Sequence, residues 1–162
     1  MIKPLFFALR PEQWIKNFFV FLPLIFGGKL FAIPENLIST GAVFIFCIAS
    51  SAAYILNDII DIENDKSHPI KRFRPIASGK IGIKRAQVLA FLLSVLSITI
   101  AFALNILFGW IIVFYILLNL AYSKFLKDIV IIDVFCIAAF FLLRVLAGSI
   151  VPDVAISPWI MI

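Results

Sequence analysis

The stretch "AQVLAFLLSVLSITIAFALNILFGWIIVFYILLNLAYS", residues 86–123, decides the fold class because it contains no acidic or basic residue. A helix needs roughly 20 apolar residues to cross the hydrocarbon core of a bilayer, so this run is long enough for two crossings. Asn105–Gly109 supplies a hinge between them. Residues 36–57 form a second charge-free run, long enough for one more crossing.

The composition of the whole chain agrees with a membrane protein. Of its 162 residues, 64% are hydrophobic and 14% are charged. Soluble domains carry about 25% charged residues, so a soluble globular class is excluded. The two cysteines, Cys47 and Cys136, lie inside apolar runs, which favours buried hydrophobic side chains over a disulfide or a metal site.

The apolar runs predict an all-α fold, a polytopic bundle of transmembrane helices that satisfy their own backbone polar groups. We expect one transmembrane domain over residues 1–162, truncated at its C-terminal end, with five spans and the start of a sixth. Pro23 and Gly27–Gly28 interrupt the first span. The predicted spans cover residues 13–33, 37–57, 86–104, 108–123 and 130–151, followed by a stub from Ile156.

Lys and Arg are concentrated on one side of the predicted bundle. Most of them lie before the first span, in the loop between spans two and three, and between spans four and five. The positive-inside rule therefore predicts that the N-terminus and the loop after span two lie in the cytoplasm, and we expect an integral protein of the plasma membrane. The net charge of +5 then lies mostly at one membrane face.

The segment "NDIIDIEND", residues 57–65, places carboxylates at the cytoplasmic end of span two. At 100° per residue, one amide and three carboxylates fall within an arc of roughly 100° on one helix face, and Glu63 falls on the other side. Because like charges at this spacing repel, a cation among the oxygens would stabilise them, and Mg²⁺ prefers such ligands. A solvated helix end paired with Lys66 is the alternative. The converging residues are Asn57, Asp58, Asp61 and Asp65.

The segment "KSHPIKRFRPIASGK", residues 66–80, follows directly and is basic. Pro69 turns the chain away from the helix axis, so Lys71, Arg72 and Arg74 can fold back over the carboxylates. Arg suits bidentate phosphate contacts and Lys neutralises charge, as a pyrophosphate leaving group requires. The positive-inside rule alone also predicts a basic loop here, so phosphate binding and a purely topological role both stay open.

Other polar residues extend this picture. Lys16 lies at the start of span one, and Lys127 ends the segment "YSKFLK", residues 122–127. Lys127 could close a phosphate site from another helix or act as a membrane-surface anchor. Asp133 and Arg144 are nearly in phase on span five, and their role stays unassigned.

The aspartate segment resembles the first motif, N-D-x-x-D-x-x-x-D, of the UbiA superfamily of intramembrane prenyltransferases. The segments "HPIKRFRPIASG", "LRPEQWIKN" and "YSKFLK" are similar to a narrower branch, the decaprenyl-phosphate phosphoribosyltransferases. The resemblance covers essentially the whole chain. It implies a Mg²⁺-dependent pentosyltransferase that moves phosphoribose from phosphoribosyl pyrophosphate to a polyprenyl phosphate lipid and releases pyrophosphate, as in cell-wall biosynthesis. The implied partners are these two substrates and the membrane, not nucleic acid.

The resemblance also implies roles for matching residues. Asn57, Asp58, Asp61 and Asp65 would hold Mg²⁺ and the donor pyrophosphate, with Asp58 and Asp61 as the catalytic pair. The phosphate-binding residues would be Lys16, Lys71, Arg72, Arg74 and Lys127. Members of the superfamily carry a second polar motif beyond the region that this chain matches, so we expect these 162 residues to hold half a site and to be inactive alone.

Two other functions remain open. A prenyltransferase of the same superfamily, with a polyprenyl diphosphate donor and an aromatic acceptor, would use the same Mg²⁺ chemistry. Many such enzymes have Arg directly after the second Asp of the motif, where this chain has Ile62, which favours the phosphoribosyl branch. A non-catalytic transporter or lipid-binding protein would instead place paired ionisable residues near the middle of the membrane.

Overall fold

The computed structural model describes residues 2–156, and the described residues are helical or connect helices without forming a strand. The all-α fold class is therefore confirmed. The α-helices are α1 Ile2–Ala8, α2 Leu22–Phe26, α3 Ile33–Ile60, α4 Ile62–Ser67, α5 Ile83–Leu104, α6 Ile106–Ala121 and α7 Val130–Ile150. A 3₁₀ helix covers Pro11–Phe21, a 3₁₀ turn covers Lys71–Phe73, and a π-turn covers Tyr122–Leu126.

Four helices among residues 2–156 are long and apolar enough to cross a membrane: α3, α5, α6 continued through the π-turn, and α7. They correspond to the second to fifth predicted spans. The chain is an integral membrane protein by this criterion. The stub predicted from Ile156 lies almost wholly outside the described residues.

The first predicted span, residues 13–33, is interrupted, as Pro23 and Gly27–Gly28 predicted, and does not form one continuous helix. The 3₁₀ helix Pro11–Phe21 passes into α2, which ends at Phe26, and the chain then turns through Gly28 at φ 67°. Pro23 lacks a backbone N–H and sits in the first turn of α2, where a helix tolerates it. At a rise of about 2.0 Å per 3₁₀ residue and 1.5 Å per α residue, the two segments still extend about 30 Å.

Helix α3 lies at the centre of the bundle and packs against the 3₁₀ helix, α5, α6 and α7. Its buried face includes a run of small residues, Ala49–Ala53, that lets neighbouring backbones approach closely. Phe46 on the same helix packs edge-on against Tyr115 of α6, with ring centroids 5.5 Å apart. This packing fixes the direction of α3 and therefore the position of its polar C-terminal end.

The predicted hinge between α5 and α6 has a simple local cause. Asn105 is extended, at φ −160° and ψ 134°, and its side-chain oxygen accepts the backbone N–H groups of Leu107 at 2.8 Å and Phe108 at 3.1 Å. These bonds satisfy donors that the first turn of a helix otherwise leaves unpaired. Asn105 thus ends α5 and caps α6.

Gly148 marks the closest approach between α7 and the 3₁₀ helix. A Cβ atom at Gly148 would lie 1.9 Å from the carbonyl oxygen of Val20, which belongs to the backbone and cannot rotate away. At Gly41 of α3, by contrast, a Cβ would meet no atom of the described chain within 4 Å. The two glycines form a matched pair for testing this contact.

We expect Gly148→Ala to lower the free energy of unfolding by about 1–3 kcal/mol, because the added methyl group overpacks a backbone contact. Gly41→Ala, which fills open space on a helix, is expected to raise it by up to about 1 kcal/mol. Chemical denaturation of the detergent-solubilised protein measures both values. Equal effects of the two substitutions would contradict the close approach.

Candidate functional site

The carboxylates of residues 57–65 lie where α3 ends and α4 begins. Asp61 separates the two helices at φ −90° and ψ 9°. Hydrogen bonds of the helical type nevertheless continue across it: the backbone N–H of Asp61 donates to the Asn57 carbonyl at 2.9 Å, and the backbone N–H of Asp65 donates to the Asp61 carbonyl at 2.8 Å. Asp58 and Asp65 are buried, each with a side chain 2% exposed. Glu63 is exposed and pairs with Lys66 at 2.8 Å.

Arg74 brings two of these carboxylates together. The loop after α4 folds back, and the Nη1 atom of Arg74 donates to Asp65 Oδ2 at 2.6 Å and to Asp58 Oδ1 at 3.3 Å. His68 shapes the start of this loop, because its Nδ1 atom accepts the backbone N–H groups of Ile70 and Lys71, each at 3.2 Å. The side chain of His68 therefore stabilises a turn.

Arg10 is a second cation at Asp58, and the sequence analysis did not identify it. Its Nη2 atom donates to Asp58 Oδ1, and its guanidinium lies 5.0 Å from the centre of the Tyr54 ring. Its backbone is left-handed at φ 52°, which costs energy for a residue with a side chain. The segment "LRPEQWIKN" contains Arg10 and was the available signal, but its contact with Asp58 spans 48 positions.

Lys127 reaches Asp61 from the far end of the α6 segment. Its Nζ atom forms an ion pair with Asp61 Oδ1, and its backbone N–H bonds the Tyr122 carbonyl at 3.1 Å to close the π-turn. The extra residue in a π-turn rotates whatever follows by about 100° relative to an α-helix. The Tyr122 hydroxyl donates to Asp133 Oδ1 at 2.7 Å, which fastens this turn to α7.

The other predicted phosphate-binding residues lie farther from the carboxylates. Lys71 and Arg72 are exposed, and Arg72 stacks on Phe73 with 4.8 Å to the ring centre. Lys16 is exposed on the 3₁₀ helix and lines a separate cavity of about 260 Å³ together with Arg144. Asn57 is half-buried in the last turn of α3.

Comparison with known proteins places this geometry in a family. The sequence profile of the UbiA prenyltransferase family matches residues 18–162. The chain belongs to the UbiA family. The family that the aspartate motif predicted is thus confirmed, and the carboxylate end of α3 is the part of the chain that carries this UbiA motif.

The chain is also similar to individual UbiA relatives. It is 35% identical over 166 residues to decaprenyl-phosphate phosphoribosyltransferase of Mycolicibacterium smegmatis, covering 100% of this chain and 52% of the relative. The enzyme of that name from Corynebacterium glutamicum is 36% identical over 159 residues, covering 96% of this chain and 48% of the relative. The chain spans about half the length of these curated relatives.

Solved UbiA structures share the fold. A digeranylgeranylglyceryl phosphate synthase structure superposes with a TM-score of 0.78 at 24% identity, covering 93% of this chain and 53% of that one. A UbiA homologue from Archaeoglobus fulgidus, bound to DMAPP and Mg²⁺, superposes with a TM-score of 0.76 at 20% identity, covering 94% and 56%. These identities support a common fold for the helices described above.

The UbiA carboxylates can be tested for their fit to a metal ion. Within residues 2–156, no group of three or more Asp, Glu, His or Cys side chains lies close enough together to hold one alone. Asp58 and Asp65 meet through Arg74, and Mg²⁺ commonly takes one or two carboxylates together with water and substrate phosphates. The described carboxylates thus form no metal site by themselves, and two carboxylates are the donor set that Mg²⁺ takes when water and substrate phosphates supply the other ligands.

Arg144 occupies the interior of the bundle and contacts neutral groups. It is 4% exposed, and its guanidinium donates to Asn17 Oδ1 at 2.9 Å, the Tyr115 hydroxyl at 3.0 Å and the Phe140 carbonyl at 2.5 Å. Asp133, which lies nearly in phase with Arg144 on α7, contacts Tyr122 instead. These contacts join α7 to the 3₁₀ helix and α6.

We expect Arg74→Gln to destabilise the protein, because it removes a cation shared by two buried carboxylates. Breaking a fully buried pair costs about 3–5 kcal/mol, and the partial exposure of Arg74 reduces the expected loss in unfolding free energy to about 1–3 kcal/mol. Adding Asp65→Asn should recover part of this loss.

Lys66→Gln is the matched control, because it removes an exposed ion pair on α4, the helix that precedes the loop with Arg74. Its expected effect is within about 0.5 kcal/mol. Chemical denaturation in detergent measures the free energy of unfolding of each variant. If Lys66→Gln lowers it as much as Arg74→Gln does, the claim that Arg74 stabilises two buried carboxylates is contradicted.

Proposed function

We propose that the complete protein in which these residues occur transfers phosphoribose from phosphoribosyl pyrophosphate to a polyprenyl phosphate at the cytoplasmic face of the plasma membrane. The observation that carries this proposal is the pairing of the buried Asp58 and Asp65 and the half-buried Asp61 with cations at one end of α3. Membership of the UbiA family supports group transfer involving a polyprenyl lipid. The names of the relatives that match nearly the whole chain support phosphoribose as the group transferred.

In this proposal, a phosphate oxygen of the lipid attacks C1 of the ribose, a new C–O bond forms there, and the bond to pyrophosphate breaks. Asn57, Asp58, Asp61 and Asp65 would together hold the metal ion and the donor pyrophosphate, with Asp58 and Asp61 as the catalytic pair. When bound, Mg²⁺ neutralises charge on the leaving pyrophosphate. The relative bound to Mg²⁺ supports this choice of metal.

The cations that pair with these carboxylates would bind phosphate oxygens as the donor enters. Arg74 and Lys127 already stand within contact distance of the carboxylates, so each could exchange a carboxylate for a phosphate without a large movement. Fixed cations that stabilise the developing negative charge need little reorganisation during the reaction. Lys16, Lys71 and Arg72 complete the basic surround and offset the repulsion between two anionic substrates.

A prenyl transfer to an aromatic acceptor is the second candidate function. The Archaeoglobus fulgidus homologue bound to DMAPP has the same fold, which supports a prenyl diphosphate donor. Ile62 in the aspartate motif and the greater similarity to phosphoribosyltransferases favour phosphoribose.

Labelled donors separate the two functions. The complete protein, reconstituted with Mg²⁺, polyprenyl phosphate and an aromatic acceptor, is supplied in turn with labelled phosphoribosyl pyrophosphate and labelled polyprenyl diphosphate. Label from the first donor should enter the lipid fraction. Transfer from the second donor to the aromatic acceptor, with none from the first, would overturn the proposal.

Asp61→Asn should lower the rate of transfer by about 100-fold or more, because the site loses a charge that holds the donor complex in the transition state. Glu63→Gln is the control, since that carboxylate is exposed and pairs with Lys66. Initial rates with labelled phosphoribosyl pyrophosphate compare the variants. Transfer by Asp61→Asn at the rate of Glu63→Gln would remove Asp61 from the catalytic pair.

A further inference from the structure

A cavity of about 640 Å³ lies beside Asp58, between α1, the start of the 3₁₀ helix and the loop after Phe73. Asp58 and Glu12 are the carboxylates in its wall, and Asp58 already contacts two of the surrounding cations. Positive charge therefore exceeds negative charge around the cavity, which favours an anionic ligand. The cationic side chains in the wall are Lys3, Arg10, Arg74 and Lys80.

The wall of this cavity is held by its own hydrophobic cluster. Ile76 and Ile81 of the loop are buried together with Ala8 of α1, so the loop and α1 pack as one surface. Gly79, at φ 76°, allows the chain to turn between the two buried isoleucines. This turn places Lys80 at the rim while its neighbours stay anchored.

Arg10 joins the cavity to the carboxylate site. Its left-handed backbone places the guanidinium between the Tyr54 ring and Asp58, and the same side chain lines the cavity. Such a backbone persists where surrounding contacts hold it, and residues of this kind are concentrated at binding sites. The cavity is therefore continuous with the end of α3.

We propose that this cavity binds the 5-phosphate of phosphoribosyl pyrophosphate, with Lys3, Arg10 and Lys80 as its phosphate-binding residues. The proposal rests on the proposed function and adds the part of the site that selects the donor. Phosphoribosyl pyrophosphate carries anionic groups at both ends of the ribose, a diphosphate on C1 and a phosphate on C5. If the carboxylates and metal hold the diphosphate, the second phosphate needs a basic site next to them.

The size and position of the cavity meet that need. Small-molecule sites measure about 300–1,000 Å³, and a cavity of about 640 Å³ falls in this range. It adjoins Asp58, and its four cations outnumber the carboxylates of Asp58 and Glu12, so it suits a phosphate bound without a metal ion. A prenyl diphosphate has no second phosphate to place there, which makes the cavity a means of discriminating between the two donors.

Calorimetric titration of the complete protein tests the assignment with ligands that separate the two ends of the donor. Ribose 5-phosphate without metal reports on the cavity, unphosphorylated ribose controls for the sugar, and pyrophosphate with Mg²⁺ reports on the carboxylates. The variants are K3Q/K80Q and, as a control, K84Q in the first turn of α5, whose side chain does not line this cavity.

We expect K3Q/K80Q to weaken ribose 5-phosphate binding roughly tenfold, because each lost exposed charge contact lowers the affinity by about threefold. Pyrophosphate binding should change by less than about twofold. K84Q should leave both affinities unchanged. In the transfer reaction, the double variant should raise KM for phosphoribosyl pyrophosphate and leave kcat within about twofold. Lys3 and Lys80 are exposed, so equal melting temperatures of K3Q/K80Q and K84Q will show that the fold is retained.

Binding of ribose 5-phosphate that is as tight in K3Q/K80Q as in K84Q would overturn the inference, and so would an equal loss for both ligands. If the protein binds pyrophosphate and transfers phosphoribose but does not bind ribose 5-phosphate, the inference fails and the proposed function stands. If it transfers no phosphoribose and binds neither ligand, the proposed function fails as well.

Discussion

The ion pairs at the end of α3 are the constraint on which this end of the molecule depends. Asp58, Asp61 and Asp65 belong to one short segment, but their cationic partners come from three separate parts of the chain. A buried carboxylate without a partner is costly, so each pair fixes the position of the segment that supplies the cation. The start of the 3₁₀ helix, the basic loop and the π-turn thereby converge on one helix end.

The apolar packing of the bundle makes this convergence possible. Small residues on α3 let the neighbouring helices approach, and Phe46 fills the space between α3 and α6. Because α3 is held along its length, its polar end lies at a defined place. Polar groups can then be aligned there by side-chain contacts, without further reshaping of the helices.

Sequence patterns predicted the parts of this structure that depend on local or periodic features. Charge-free runs identified α3, α5 and α6, an apolar run with only two charged residues identified α7, and helical spacing placed Asp58 and Asp65 on one face. Pro23 and Gly27–Gly28 predicted the break in the first span, but hydropathy does not distinguish the 3₁₀ helix before the break from an α-helix. Arg10 was missed because its contact with Asp58 is made only after the chain has folded, between residues 48 positions apart.

The π-turn makes the Lys127–Asp61 ion pair depend on the length of the segment after α6. A substitution within Tyr122–Leu126 keeps the backbone register, whereas removal of one residue would return the segment to α-helical geometry. Lys127 would then point about 100° away from Asp61, although no side chain of the ion pair had changed. The number of residues between α6 and Lys127, as well as their chemistry, therefore determines whether Lys127 reaches Asp61.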